Sequence, residues 1–444
     1  MGGEGEDRRR TPETSVLHEA FRRGWPQVAS SMPARVRREV ERFLQCGDVR
    51  YGFAEVACGD CGEARLVAFS CKSRGWCPSC TTRRALETGA HLEALLPKVA
   101  HRQWTLSLPF PARFPVVKQP KLLKRLEVRL VRAVWRWQRR EAKRLGVEGR
   151  LRGGAVCFWQ WFGSHLQLTP HLHLLVPEAL WTAEGELVEL PPPSDEDVAR
   201  VLHRALTLAK RDWRQLDAAW PEDEYQQLQQ RAAQERLQLV EPAPRGRARR
   251  VAVEGGFSLH ADTAVHGHDR EGLERLVRYG ARGPVASVRL KRLDDGRYEY
   301  ATKKGASFTV TAVALVTRLV ALLPPPKLHL TSFHGAYAPN AALRPVVTTA
   351  PPAPPAPPQL PFKGFAPAPT RRPRLDRAQL HKRTWGTDVL RCPCGGRRTV
   401  RALHLTRRAA EERLARLGVR LLPRRLPPAS PDDAPPPGQL SLAF

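Results

Sequence analysis

Thr169-Pro170-His171-Leu172-His173-Leu174-Leu175-Val176 alternates polar and apolar side chains before running into a fully apolar end. On a β-strand, this spacing puts His171 and His173 on one face and turns Leu172 and Leu174 into the core. Two imidazoles on one face, ~7 Å apart along the strand, can converge on one divalent ion with help from a neighbouring strand. The motif is weak alone, since two surface histidines fit it equally well.

Around it, the pattern alternates between strands and helices. Ala155–Phe162 and Leu166–Val176 read as paired strands, with Cys157 in the core, and Gln103–Leu108 reads as another strand. Residues 120–145 read as one long amphipathic helix, apolar at Leu122, Leu123, Leu126, Leu130, Val134 and Trp137 and basic on its other face. Helices are also expected at 32–45, 83–96, 195–218, 222–238 and 270–282. A strand is expected near 256–261, and a hairpin around Asp294-Asp295-Gly296. Tyr279 sits in the 270–282 helix beside Arg275, Arg278 and Arg282, cations suited to a phosphodiester; an ordinary packed ring fits the same pattern.

Cys58-Gly-Asp-Cys61 and Cys77-Pro-Ser-Cys80 form two C-x2-C knuckles 15 residues apart, the spacing of a four-thiolate zinc site. Four thiolates close a tetrahedron ~2.3 Å from the metal and leave no open position, so such a site is structural. Cys46 and Cys71 lie close enough to replace a ligand or join a second site. Cys392-Pro-Cys394 is too tight and isolated for the same inference.

The 444 residues include 73 Lys and Arg, 60 of them Arg, against 44 Asp and Glu, a formal charge of +29. Arginine binds phosphate bidentately and stacks on bases, so this surplus points to nucleic acid, although GC-rich coding also raises Arg, Ala and Pro together. Residues 101–150 alone hold 14 basic residues against 3 acidic ones. Met1–Arg10 has no apolar stretch and does not read as a signal peptide. The most apolar run, Phe308–Leu323, has 16 residues and contains Arg318, short of the ~20 that a spanning helix needs. Clustered, odd-numbered cysteines suit metal thiolates in a reducing cytoplasm rather than a disulfide scaffold.

Five blocks in fixed order resemble the HUH-type transposases of rolling-circle insertion sequences, the family numbered ninety-one. They are Phe69-Ser-Cys-Lys-Ser-Arg-Gly-Trp-Cys-Pro-Ser-Cys80, Gln160-Trp-Phe-Gly-Ser164 leading to Pro170-His-Leu-His173, Leu273-Glu-Arg-Leu-Val-Arg-Tyr-Gly-Ala-Arg282, Phe333-His-Gly-Ala-Tyr-Ala-Pro-Asn340 and Leu390-Arg-Cys-Pro-Cys-Gly-Gly396. The resemblance implies an α+β fold: an HUH nuclease core with an antiparallel sheet and flanking helices, preceded by a small zinc-binding module. It implies cleavage and rejoining of single-stranded DNA at element ends and target sites. Magnesium or manganese would sit on His171 and His173, with Gln160 the candidate third ligand and His165 the runner-up. Tyr279 would be the nucleophile forming a 5′-phosphotyrosine, Arg275, Arg278 and Arg282 would bind DNA, and zinc would hold Cys58, Cys61, Cys77 and Cys80.

Two features depart from the family pattern. Gly283 stands where some members carry a second tyrosine, so the chain resembles the one-tyrosine variety, and Tyr298 and Tyr300 read as structural. Cys392-Pro-Cys394 is one residue shorter than the family's knuckle. The expected division is a helical and zinc-binding domain at 1–100, a nuclease domain at 101–350, a Pro-rich linker at 351–370, a small basic segment at 371–425 and a disordered tail at 426–444. The ending Gln439-Leu-Ser-Leu-Ala-Phe444 resembles the peptide that binds the replicative sliding clamp, with Gln439, Leu442 and Phe444 as anchors. The expected location is the bacterial cytoplasm, at the nucleoid and away from membranes. A replication initiator or relaxase would share this chemistry, whereas a zinc-dependent nucleic-acid-binding protein would bind without cleaving.

Overall fold

A computed structural model describes residues 14–213, 223–234, 249–302, 305–348 and 388–419. The 351–370 linker, the 426–444 tail and the clamp-like Gln439, Leu442 and Phe444 lie outside the described residues.

The architecture is α+β with antiparallel sheets, as expected. At the N-terminal side stand helices α1 (Val16–Val28) and α2 (Ala34–Leu44), a hairpin of β1 (Phe53–Cys58) and β2 (Ala64–Ala68), and helix α3 (Pro78–Leu95). Next come β3 (His101–Ser107), α4 (Phe110–Lys118), α5 (Pro120–Arg144), β4 (Gly154–Phe162), β5 (Leu168–Pro177) and a small hairpin, β6 (Ala179–Trp181) with β7 (Leu187–Glu189). Helices α6 (Asp195–Trp213) and α7 (Glu224–Gln234) precede β8 (Val251–Glu254), β9 (Phe257–His260), β10 (Ala264–Val265) and α8 (Arg270–Ala281). A meander of β11 (Leu290–Arg292), β12 (Tyr298–Ala301) and β13 (Ser307–Val310) leads to α9 (Ala312–Ala321) and β14 (Thr331–Gly335). Strand β15 (Arg398–His404) and a closing helix, Arg407–Arg416, complete the described chain.

The central sheet runs β14-β4-β5-β3-β9-β8, with β10 also paired to β3. Strand β4 is buried at every position, which suits a central strand covered on both faces. On the back face Trp104, Cys157, Leu172 and Leu174 meet α5, where the Trp104 and Trp137 rings lie 5.7 Å apart. One acid interrupts the apolar stripe of α5. Glu127 is fully buried and accepts hydrogen bonds from Lys124 (2.6 Å), Trp159 Nε1 of β4 (2.6 Å) and Ser332 of β14 (2.6 Å), with His334 Nε2 at 2.7 Å. Burial pushes its carboxyl up, but these partners overcome it and hold the group at about 2. Cys157, in the core as expected, lies beside this carboxylate and His334.

The apolar run 308–323 divides between β13 and a buried α9. Helix α9 packs against α1 so closely that a Cβ on Gly24 would lie 2.5 Å from the Ala312 carbonyl oxygen. No described helix is long and apolar enough to cross a membrane. Tyr298 and Tyr300 are buried, consistent with structural roles.

Among the described residues, those before and after residue 100 share a core. Leu17, Phe21 and Phe43 share one apolar cluster with Trp104, Leu172 and Leu315. Nor does the C-terminal segment stand apart: β15 pairs antiparallel with β1, giving a three-stranded sheet β15-β1-β2. Strands β1 and β15 lie in segments for which the sequence suggests no strand.

Candidate active site and metal centres

Strand register builds the front face of the central sheet. Gln160 of β4 stands opposite His171 of β5, Phe158 opposite His173, and Thr105 of β3 also opposite His173. The rings of His171 and His173 are 4.9 Å apart, edge to face. His171 Nδ1 donates to the Thr169 carbonyl at 2.8 Å, which leaves its lone pair on Nε2. His173 Nδ1 lies 3.2 Å from Thr105 Oγ1, while its Nε2 is buried without a hydrogen-bond partner among the described residues. Burial pushes His173 down to about 3, aided by His171 and Arg282, and pushes His171 down as well. Both rings are therefore neutral near pH 7. Thr105 was not visible as a site residue from sequence, because its place follows from strand pairing rather than from a motif.

Helix α8 closes this face and carries Tyr279. The Tyr279 ring meets His173 edge-on at 5.5 Å, and the Arg282 guanidinium lies 4.9 Å from the Tyr279 ring centre and 5.1 Å from that of Phe162. Helix and strand come close because residue 280 is glycine: a Cβ there would lie 2.9 Å from the Phe158 ring. Gln160 exploits this approach. Its Nε2 donates to the carbonyls of Tyr279 (2.6 Å) and Gly280 (3.0 Å), and its Oε1 is buried without a partner among the described residues.

The other expected residues sit elsewhere. Arg275 turns back to Asp269 and Glu271, each at 3.8 Å. Arg278 packs its stem beside Gly89 of α3, whose Cβ would lie 2.8 Å away. His165 occupies the β4–β5 turn, near Phe308. Among the three arginines, Arg282 is the one at the tyrosine.

The cysteines form two groups of four, and neither is the set Cys58, Cys61, Cys77 and Cys80. Cys77 and Cys80 join Cys46 and Cys71, while Cys58 and Cys61 join Cys392 and Cys394. The β1–β2 hairpin causes the separation. Cys46 and Cys71 flank its base, whereas Cys58 and Cys61 lie at its tip, roughly 17 Å further along the strands. In the first group the Sγ separations are 3.7 Å for Cys46–Cys77, 3.8 Å for Cys46–Cys80 and 3.5 Å for Cys71–Cys80. Thiolates ~2.3 Å from a tetrahedral zinc would stand ~3.8 Å apart, so the donor set fits the metal. All four are buried.

Helix α3 starts at this group, with Cys77 as its N-cap and Cys80 in its first turn, and runs along α8. Leu92, Leu95 and Leu96 pack with Leu273 and Val277, and Thr81 fills the space beside Gly283. The cysteine group and the tyrosine are thus connected by two packed helices.

Two family models match the chain, one described as "Transposase zinc-binding domain" over residues 17–108 and one as "Putative transposase" over residues 154–343. No curated protein and no solved structure matches it. The first match spans Cys46, Cys71, Cys77 and Cys80, and the second spans Gln160, His171, His173 and Tyr279. Succeeding one another in this order, they identify the chain as a transposase of the insertion-sequence family numbered ninety-one, with an N-terminal zinc-binding domain.

Proposed function

We propose that this transposase cleaves and rejoins single-stranded DNA in rolling-circle transposition, with Tyr279 as the nucleophile. The observation that carries the reading is the pair of buried, unpartnered atoms beside the tyrosine, His173 Nε2 and Gln160 Oε1. With the Nε2 lone pair of His171, they make a two-nitrogen, one-oxygen donor set on adjacent strands, suited to magnesium or manganese. A divalent ion held there would polarise the scissile phosphate as a Lewis acid.

The remaining work belongs to the chain. Thr169 and Thr105 fix the two imidazoles through Nδ1, so that both Nε2 atoms face the reaction. Arg282 offsets the phosphate charge next to the tyrosine. Tyr279 Oη gives up its proton and attacks phosphorus; the bond to the 3′-oxygen breaks and that oxygen leaves as a 3′-hydroxyl. The resulting 5′-phosphotyrosine conserves the energy of the phosphodiester, so another 3′-hydroxyl can reverse the step and join strands without ATP. With Gly283 four residues on, the strand is not handed between neighbouring tyrosines.

In the same reading, Cys46, Cys71, Cys77 and Cys80 hold a structural zinc, the protein works at the bacterial nucleoid, and Gln439, Leu442 and Phe444 anchor it to the sliding clamp. The test is incubation with manganese and labelled single strands from the DNA flanking the gene, followed by a denaturing gel. A covalent adduct is expected that disappears in Tyr279→Phe and in His171→Ala. Tight binding without an adduct would overturn the nuclease reading in favour of a zinc-dependent binding protein.

A further inference from the structure

We propose that Cys58, Cys61, Cys392 and Cys394 form a second zinc site whose two halves come from distant parts of the chain, and that this ion fastens residues 388–419 to the zinc module. The inference is independent of the strand-cleavage reading.

The geometry is that of a closed tetrathiolate. Cys58 and Cys394 sulfurs lie 3.6 Å apart, those of Cys61 and Cys392 3.5 Å apart, and all four fall within 4.8 Å of one another. These spacings are close to the ~3.8 Å between sulfurs around a tetrahedral zinc. Four thiolates with no open position leave a structural role.

The two halves are built alike despite their different lengths. Cys58 donates its N–H to the Glu63 carbonyl, Gly62 donates back to the Cys58 carbonyl at 3.2 Å, and Gly62 has φ +74°. Cys392 donates its N–H to the Gly396 carbonyl, Gly395 donates back to the Cys392 carbonyl at 3.0 Å, and Gly395 has φ +91°. Each loop therefore ends its second cysteine with a left-handed glycine and folds its sulfurs to one side. The missing residue in Cys392-Pro-Cys394 shortens the turn by one and preserves its form. The halves also meet without spare room: a Cβ on Gly396 would lie 2.8 Å from Cys58 Sγ.

Zinc with four thiolates carries a net −2, and the carboxylate that touches a ligand, Glu63 with its Oε2 3.0 Å from Cys392 Sγ, is itself held by two arginines. Arg398 is 1% exposed and joins Glu63 to the Arg391 backbone, while Arg65 holds Glu63 from the other side at 3.1 Å. Among the described residues, the apolar contacts of this segment are few. Phe53, Ala410 and Leu414 form its small cluster, and Val400, Leu403 and Leu405 of the strand and its exit are exposed. Small units with so little core depend on a metal or covalent staple.

The test uses the full chain, purified under reducing conditions, and counts metal by plasma mass spectrometry. Two zinc ions per chain are expected, falling to one in the double variant Cys392→Ser, Cys394→Ser and to one in Cys58→Ser, Cys61→Ser. Cys61 and Cys394 are solvent-exposed, so their failure to react with iodoacetamide until a chelator is added would further support the site. In the Cys392→Ser, Cys394→Ser chain, amide exchange at 399–404 should accelerate roughly tenfold or more while β4 and β5 keep their protection. One zinc in the unaltered chain, immediate alkylation of Cys61 and Cys394, or an intact mass showing disulfides among the four would each overturn the proposal, and none requires a variant to fold.

Discussion

Gln160 holds Tyr279 by its backbone: the strand amide donates to the Tyr279 carbonyl at 2.6 Å and to its neighbour's at 3.0 Å. The tyrosine ring is thereby referenced to the strand that pairs with the two histidines. Gln160→Leu removes both bonds from the last turn of α8, a cost of about 1–3 kcal/mol. Urea denaturation should show that loss, and strand cleavage should fall while single-strand binding persists. Unchanged stability would mean that the amide does not hold the helix.

Gly280→Ala addresses the same contact sterically. A methyl group 2.9 Å from the Phe158 ring must push α8 off β4, at about 1–3 kcal/mol. Adding Phe158→Leu should restore part of both stability and cleavage. Failure of that rescue in a folded double variant would place the strain elsewhere.

A third expectation follows from the path Cys77–α3–α8. Losing the zinc proposed for the Cys46 group would free the start of α3, and α8 leans on α3 through Gly89 and Leu92, with Thr81 against Gly283 just past its end. Cys77→Ser with Cys80→Ser should accelerate amide exchange at 270–281 before it does so in β4 and β5, and should reduce adduct formation. Equal protection of α8 in both proteins would uncouple the two sites.

Acid should destabilise the fold in two steps of different origin. His101 is 1% exposed, donates from Nδ1 to the Val99 carbonyl and accepts at Nε2 from Tyr337, and burial lowers it to about 4. The unfolded chain protonates this residue near ~6.5, so its share of stability, about 3 kcal/mol, is lost as pH falls from ~6.5 towards 4. Glu127, held at about 2, is stabilising above its unfolded value and loses that share as pH falls from ~4.5 towards 2. Melting temperature against pH should fall in the first window for the unaltered chain and less steeply in His101→Gln.

Much of the site could be read from local spacing. The alternation around His171 and His173 needs no partner strand to be seen, and Leu172 and Leu174 are as buried as it requires. Gln160 was reachable because its strand adjoins theirs in sequence. Knuckle spacing favours neighbours in sequence and so joins Cys58 and Cys61 to Cys77 and Cys80, whereas the β1–β2 hairpin sends the two pairs apart. Their actual neighbours, Cys394 and Cys392, are 336 and 331 residues away, and nothing local to either loop encodes the β1–β15 ladder. Spacing alone does not separate Arg275 from Arg282, and the structure does: Arg275 lies 3.8 Å from Asp269 and Glu271, whereas Arg282 lies over the Tyr279 ring.

The β1–β15 ladder also has a consequence for synthesis. Strand β1 leaves the ribosome with one neighbour, β2, and its other edge stays open until Arg398–His404 is made. At ~5–20 residues per second, the 336 residues between Cys58 and Cys394 take roughly 17–67 seconds. Throughout that interval the nascent chain exposes an unpaired strand edge and two thiols that lack their later neighbours. A chain broken off anywhere before residue 392 keeps that edge and those thiols permanently, a mark by which proteases and chaperones could tell an unfinished transposase from a finished one.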